Sequence, residues 1–172
     1  MERAVELDPK FAMAYARMGV MHGNIMELEA AQEYVRKAYE LKDRVSERER
    51  LYIDSQYCSH VPGDREKALQ AYGLRAQIYP RDANAHNNLA NVYRSLGRYE
   101  QALPEALVAM RMDPENEDNY ITLSVIHLSL NRLKEAEEVL TQAVDNKLDS
   151  EGLVFQRYQV AFVNLSGIMT PR

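Results

Sequence analysis

The sequence predicts an all-α fold, an α-α superhelix built from antiparallel helix pairs, and three observations lead there. Residues recur 34 apart: Ala68, Ala102 and Ala136 form one series, Arg75, Ala109 and Ala143 a second, Pro80 and Pro114 a third. Both halves of this period place apolar residues three and four positions apart, the spacing of one helix face. Seven Gly and six Pro among 172 residues are too few for a turn-rich β fold.

Taken in order, residues 1–9 match the end of a unit, with Ala4 and Pro9 in phase and the preceding first helix absent. Residues 12–45 form the first full unit. The second, 46–82, follows three inserted residues, because Ala31 to Ala68 is 37 whereas Ala4 to Ala38 is 34. Tyr15 to Ala31, Tyr52 to Ala68, His86 to Ala102 and Tyr120 to Ala136 are all 16, so the insertion lies between Leu41 and Tyr52. There Ser46 and Glu49 have the spacing of a capping box, which restarts a helix near Glu47.

The third unit, 83–116, carries Ala85, Leu89, Val92, Tyr93 and Leu96 on its first helix. Gly97 ends that helix, and Ala102, Ala106, Ala109 and Met110 continue the core on the second, before Asp113 and Pro114 close the unit. Pro104, inside this second helix, is expected to kink or locally open it. The fourth unit is 117–150. Residues 151–172 give a closing helix or truncated unit, with Val154, Tyr158, Ala161, Phe162 and Leu165 on one face. Repeat arrays need polar caps at both ends, so the chain reads as part of a larger protein.

Composition narrows the function. A net charge of −5 argues against a general nucleic-acid binder or a binder of acidic membranes. The run KDRVSERERL alternates in sign and reads as a solvated helix start. Cys58 is the only cysteine, so no intrachain disulfide forms, and it reads as a small buried hydrophobe beside Tyr57. No apolar run approaches the roughly 20 residues that span a bilayer, and no signal peptide opens the chain. A soluble chain without direct membrane insertion is expected.

The residues that recur also carry a family resemblance. His86, Leu89, Ala90, Tyr93, Ala102, Ala106 and Pro114 follow the tetratricopeptide pattern, as do Tyr120, Leu123, Ser124, His127, Ala136 and Leu140. Tyr15, Met18, Gly19, His22, Ala31 and Val35 do so in the first unit. The second, with Tyr52, Ser55, Gln56, Ser59, Ala68, Tyr72 and Pro80, departs most, which puts its packing in doubt. The chain thus resembles a tetratricopeptide-repeat domain, which implies a right-handed solenoid whose first helices line a concave groove. The wording ERERLYIDSQY, GDREKALQAY and YPRDANAHNNLANVYRSLGRYEQAL is similar to the repeat region of bacterial eukaryotic-like serine/threonine protein kinases and related signalling proteins. That implies a cytoplasmic domain, or an extracytoplasmic one if a membrane segment precedes it in the parent protein.

No Gly-rich phosphate loop, paired cysteine ligands or His-Glu-x-x-His sequence occurs, so a catalytic site, a cofactor and a metal are not expected. His86 fills a large-residue core slot, and His22 and His127 fill the slot of Tyr93. His60 lies near a loop and is given no role.

One stretch remains to be explained. Asn84, Asn87, Asn88 and Asn91 occupy one helix stripe, although each costs roughly 0.6 kcal/mol relative to Ala. The stripe lies opposite Ala85, Leu89, Val92 and Leu96, and the resemblance places it in the groove together with Arg94. One unit on stand Ile121, Val125 and Leu128; one unit back stand Arg50, Ile53 and Tyr57. Amides between two apolar patches would hydrogen-bond a peptide backbone while Ile53, Tyr57, Ile121, Val125 and Leu128 take its apolar side chains. The expected function is a non-catalytic scaffold that binds a peptide or protein segment. The alternatives are a structural spacer, with Asn88 bonded to a neighbouring turn and Ile121, Val125 and Leu128 packed under the closing helix, or self-assembly as a homodimer through exposed repeat ends. A chaperone-type two-carboxylate clamp is disfavoured because only Arg50 and Arg94 bring positive charge.

Overall fold

The computed structural model describes residues 1–61 and 65–166. Residues 62–64 and 167–172, which fall in the expected units 46–82 and 151–172, lie outside the described residues, as does the side chain of Leu165. The fold is all-α. It comprises α1 (Glu2–Leu7), α2 (Ala12–Asn24), α3 (Leu28–Glu40), a short 3-10 turn (Lys42–Arg44), α4 (Glu47–His60), α5 (Arg65–Ile78), α6 (Ala83–Ser95), α7 (Tyr99–Met112), α8 (Glu117–Ser129), α9 (Leu133–Asp145) and α10 (Glu151–Ser166). The chain divides into two compact units, residues 1–75 and 76–172.

In the first unit α2 packs antiparallel on α3, and α4 packs on both. Gly19 sets the α2–α3 approach: a Cβ there would overlap Val35 Cγ2 and lie 3.1 Å from the Ala31 carbonyl oxygen. Gly23 makes room for the His60 ring, whose Nδ1 lies 3.0 Å from the Gln56 carbonyl. The inserted residues form the 3-10 turn, where Lys42 Nζ bonds Asp54 at 2.8 Å and lies 3.7 Å from the Tyr39 ring centre. Ser46 and Glu49 do form the capping box that starts α4: the Ser46 hydroxyl accepts from Glu49 N–H while the Glu49 carboxylate accepts from Ser46 N–H at 3.0 Å. These Ser46 bonds hold the Glu49 carboxyl below its usual pKa.

The poorly matching α4 is nonetheless well packed. Ser55 and Gln56, at the positions of Leu89 and Ala90, are buried, and Ser55 satisfies its hydroxyl on the Tyr52 carbonyl at 2.8 Å. Tyr72 of α5 is buried and accepts a hydrogen bond from Ser59; burial raises its phenol pKa.

The second unit repeats one plan. Helices α6 and α7, then α8 and α9, form antiparallel pairs; α7 also packs on α8, and α10 on α8 and α9. Its core joins Ala90, Ala102, Ala106, Tyr120, Leu123, Ile126, Ala136, Leu140 and Val160. Asp82, Asn116 and Ser150, 34 residues apart, each accept a backbone N–H at the start of α6, α8 or α10. Tyr120 donates to the Pro114 carbonyl at 3.0 Å, and one period earlier the His86 ring reaches the Pro80 carbonyl at 3.3 Å. His86 therefore does the work of the aromatic it replaces, and its other ring nitrogen meets Glu105 at 2.6 Å.

Three details bear on the sequence expectation. Helix α7 continues through Pro104 as one helix, with the ring on its exposed face. Cys58 is only half-buried. On α10 the side chains turned to the core are Leu153, Gln156 and Val160, whereas Val154, Tyr158, Ala161 and Phe162 are exposed.

Candidate functional site

The asparagine stripe of α6 is largely spent on the protein itself. Asn88 Nδ2 donates to the Asn84 carbonyl at 2.8 Å, and Asn91 Nδ2 donates to the Asn87 carbonyl at 3.2 Å. Each amide thus folds back onto a carbonyl four residues earlier in its own helix. Asn88 therefore serves its own helix, not a neighbouring turn. Asn91 also reaches Thr122 Oγ1 on α8 at 3.2 Å, and its Oδ1 accepts from Arg94 Nε and Nη2 at 3.3 and 3.2 Å. Asn87 is 9% exposed, and its Oδ1 is buried without a hydrogen-bond partner among the described residues. The expected row of amides open to a ligand is corrected accordingly: both Asn88 and Asn91 already donate within the fold, and Asn87 is buried.

What this network does is fix a cation. Arg94 stands in the last turn of α6, half-buried, held on two nitrogens by a neutral amide. No ion pair involving it occurs among the described residues. Such an arrangement orients a charge without neutralising it.

Next to this stripe, Ile121, Val125 and Leu128 of α8 are half-buried. Ile121 and Leu128 pack partly against the core, and Ile121 Cδ1 lies 3.1 Å from where a Cβ on Gly152 would be. Only their outer surfaces face solvent, so packing beneath the closing helix accounts for part of this patch.

The same period reaches one helix further. Adding the same 34 residues again carries Ile121 to Phe155, Val125 to Gln159 and Leu128 to Phe162. Phe155 and Phe162 are 61% and 67% exposed. Around α10 they lie on the flank shared with Gly152, which abuts Ile121. Val154, Arg157, Tyr158 and Ala161 line an open cleft of about 450 Å³ against α9, and Tyr158 stands between Phe155 and Phe162 on the same stripe. The face common to α6, α8 and α10 therefore runs from Asn91 and Arg94, over Val125 and Leu128, to two exposed phenylalanines.

The three residues expected from α4 belong to the first unit and behave differently. Arg50 is exposed. Ile53 is fully buried with Ala12, Tyr15, Ala16 and Ala38, so it cannot receive a ligand side chain. The small Ala12 and Ala16 on α2 leave the space that the larger Ile53 fills. Tyr57 is half-buried and stacks on Tyr39 at 4.0 Å, which commits one of its ring faces.

Two family models, each described as tetratricopeptide repeat, match residues 76–103 and 117–149. The chain contains tetratricopeptide repeats. A curated relative, the BBSome complex member BBS4 homolog of Drosophila melanogaster, is 23% identical over 90% of this chain, and the chain spans about a third (34%) of that protein's length. The repeat fold is also seen in YrrB, a tetratricopeptide-repeat protein described as having an unusual peptide-binding site: 19% identity, TM-score 0.61, covering 91% of this chain and 79% of that one. The TPR2B domain of yeast Sti1, in its complex with pHsp70, aligns at 21% identity and TM-score 0.58 over 66% of this chain and 95% of that one. Among the described residues no group of His, Cys, Asp and Glu could hold a metal ion, and no helix is long and apolar enough to cross a membrane.

Proposed function

We propose that these tetratricopeptide repeats form a non-catalytic interaction module that binds a peptide or protein segment along the groove side of its first helices. One observation carries the reading: an oriented Arg94, half-buried Val125 and Leu128, and exposed Phe155 and Phe162 share one face of the second unit. Exposed apolar side chains gathered on one face form the kind of surface that contacts something. The peptide-binding site named for YrrB and the complex of the Sti1 domain with pHsp70 support the same reading by analogy of fold.

The division into units 12–45, 46–82, 83–116 and 117–150 belongs to this proposal, as does service within a larger signalling protein such as a bacterial serine/threonine kinase, which rests on sequence wording alone. Self-assembly is the second reading. It is favoured by Val154 and Tyr158 at 42% and 72% exposure, since their equivalents in α8, Tyr120 and Ser124, are wholly buried.

The test is selection of a displayed random-peptide library on the native chain and on a Phe155→Ser, Phe162→Ser variant of matched helicity. Peptides enriched only by the native chain are the expected result. Enrichment that is absent, or indifferent to both substitutions, would sink the groove reading, and a dimer by light scattering that Tyr158→Asp dissolves would favour self-assembly.

A further inference from the structure

The exposed face of the second unit is graded rather than uniform. Across three first helices, successive rows read Asn87, Ile121, Phe155; then Asn91, Val125, Gln159; then Arg94, Leu128, Phe162. The α6 end offers one oriented cation, since Asn87 is buried and Asn91 is already bonded, and α8 and α10 offer apolar surface apart from Gln159. The last row is the most differentiated, because it alone sets a cation beside two apolar side chains.

Geometry gives that row a spacing. Packed helix axes lie about 8–10 Å apart. A polyproline-type strand advances about 9 Å in three residues and returns its side chain to the same face. A peptide crossing the helices in that conformation therefore presents every third side chain to the row.

Charge decides the order. Arg94 is held by Asn91 through two hydrogen bonds, with no carboxylate partner among the described residues. Its orientation is thus prepared before any ligand arrives, which lowers the entropy cost of pairing. The partial negative charge at the C-terminal end of α6 offsets some of the guanidinium charge, which limits the gain to that of a single charge-assisted bond. Leu128 and Phe162 have no polar function to offer and select apolar groups.

Resting on the groove reading above, we infer that the second unit recognises an extended segment with an acidic side chain over Arg94 and apolar side chains three and six residues further along, over Leu128 and Phe162. The segment thus has the form acid-x-x-apolar-x-x-apolar, and its order along the row is fixed by the single cation at the α6 end. This differs from capture of a chain-terminal carboxylate, since the acid is internal and only one cation meets it.

Fluorescence polarisation with three labelled, end-blocked peptides tests this: GEPPLPPFG, its neutral counterpart GQPPLPPFG, and GLPPEPPFG, which moves the acid over α8. The first should bind about tenfold more tightly than either of the others, the size of one charge-assisted hydrogen bond. Added salt should narrow the gap, and Arg94→Met should abolish it. Equal affinity of the acidic and neutral peptides, or a gap that survives Arg94→Met, would overturn this inference and leave the groove reading standing. Absence of binding by all three at millimolar concentration, or binding unaffected by Phe162→Ser, would overturn both.

Discussion

His127 is a titratable ring in a slot that holds Tyr93 one repeat earlier. It is 8% exposed, and its Nδ1 lacks a hydrogen-bond partner among the described residues. Burial pushes its pKa below 6.5; Arg132 acts in the same direction, while Glu135 and Glu138 oppose. The fold therefore favours the neutral ring, and the unfolded chain takes up the proton first as pH falls. The associated stability is fully present above the ordinary histidine range and is lost as pH drops through about 6.5 toward the lower folded value. In thermal melts between about pH 7.5 and 5.5, the native chain should lose more stability than His127→Tyr, which restores the repeat's own aromatic. Parallel losses in the two proteins would show that His127 is not the sensor. That His127 occupies a core slot was legible from its phase with Tyr93; that one ring nitrogen is left unpaired there was not, because it depends on where neighbouring backbones end.

At the scale of the element, the turns joining α2 to α3, α6 to α7 and α8 to α9 share one device. Gly97 has φ +72°, and the following N–H, that of Arg98, bonds the Tyr93 carbonyl at 2.9 Å, closing α6 in a left-handed cap. In phase with it, Met26 and Asn131 also have positive φ, 64° and 58°, and Glu27 and Arg132 make the matching bonds to His22 and His127. Glycine adopts this conformation freely and asparagine tolerates it, but at methionine the Cβ meets the backbone at a cost of about 1 kcal/mol. Met26→Gly should accordingly stabilise the chain by about 1 kcal/mol, less the larger entropy that glycine gives the unfolded state, and raise the urea midpoint with the slope unchanged. A lowered midpoint would mean that the Met26 side chain contributes contacts outweighing the strain. The cap before α4 was readable because Ser46 and Glu49 satisfy each other locally. The burial of Ile53 was not, since a helix that departs from the pattern gives no phase from which to read its inner face.

At the scale of the whole molecule, the two units differ in core. Among the described residues, one cluster of twelve buried apolar side chains joins α6 to α10 in the second, whereas in the first a cluster of five joins α2, α3 and α4 while Met18, Val35 and Tyr72 are buried outside it. In repeat proteins, stability follows such nearest-neighbour burial. Amide exchange should therefore be slowest across residues 85–140 and faster at both ends, with α1 and α10 exchanging first. Uniform protection along the chain would indicate a single cooperative unit and contradict this distribution.

The period of 34, the helix starts and stops, and the alanine stripes were set by the sequence alone, because each depends on contacts within a few residues or on an exact recurrence along the chain. Tertiary structure alone decided which side chains on that face remain available. Asn91 reached across to Thr122, Ile53 sank between alanines of a neighbouring helix, and Phe155 and Phe162 stayed in solvent. The physical reason is that periodicity fixes the direction of a side chain around its own helix, whereas its exposure depends on how closely the next helix approaches.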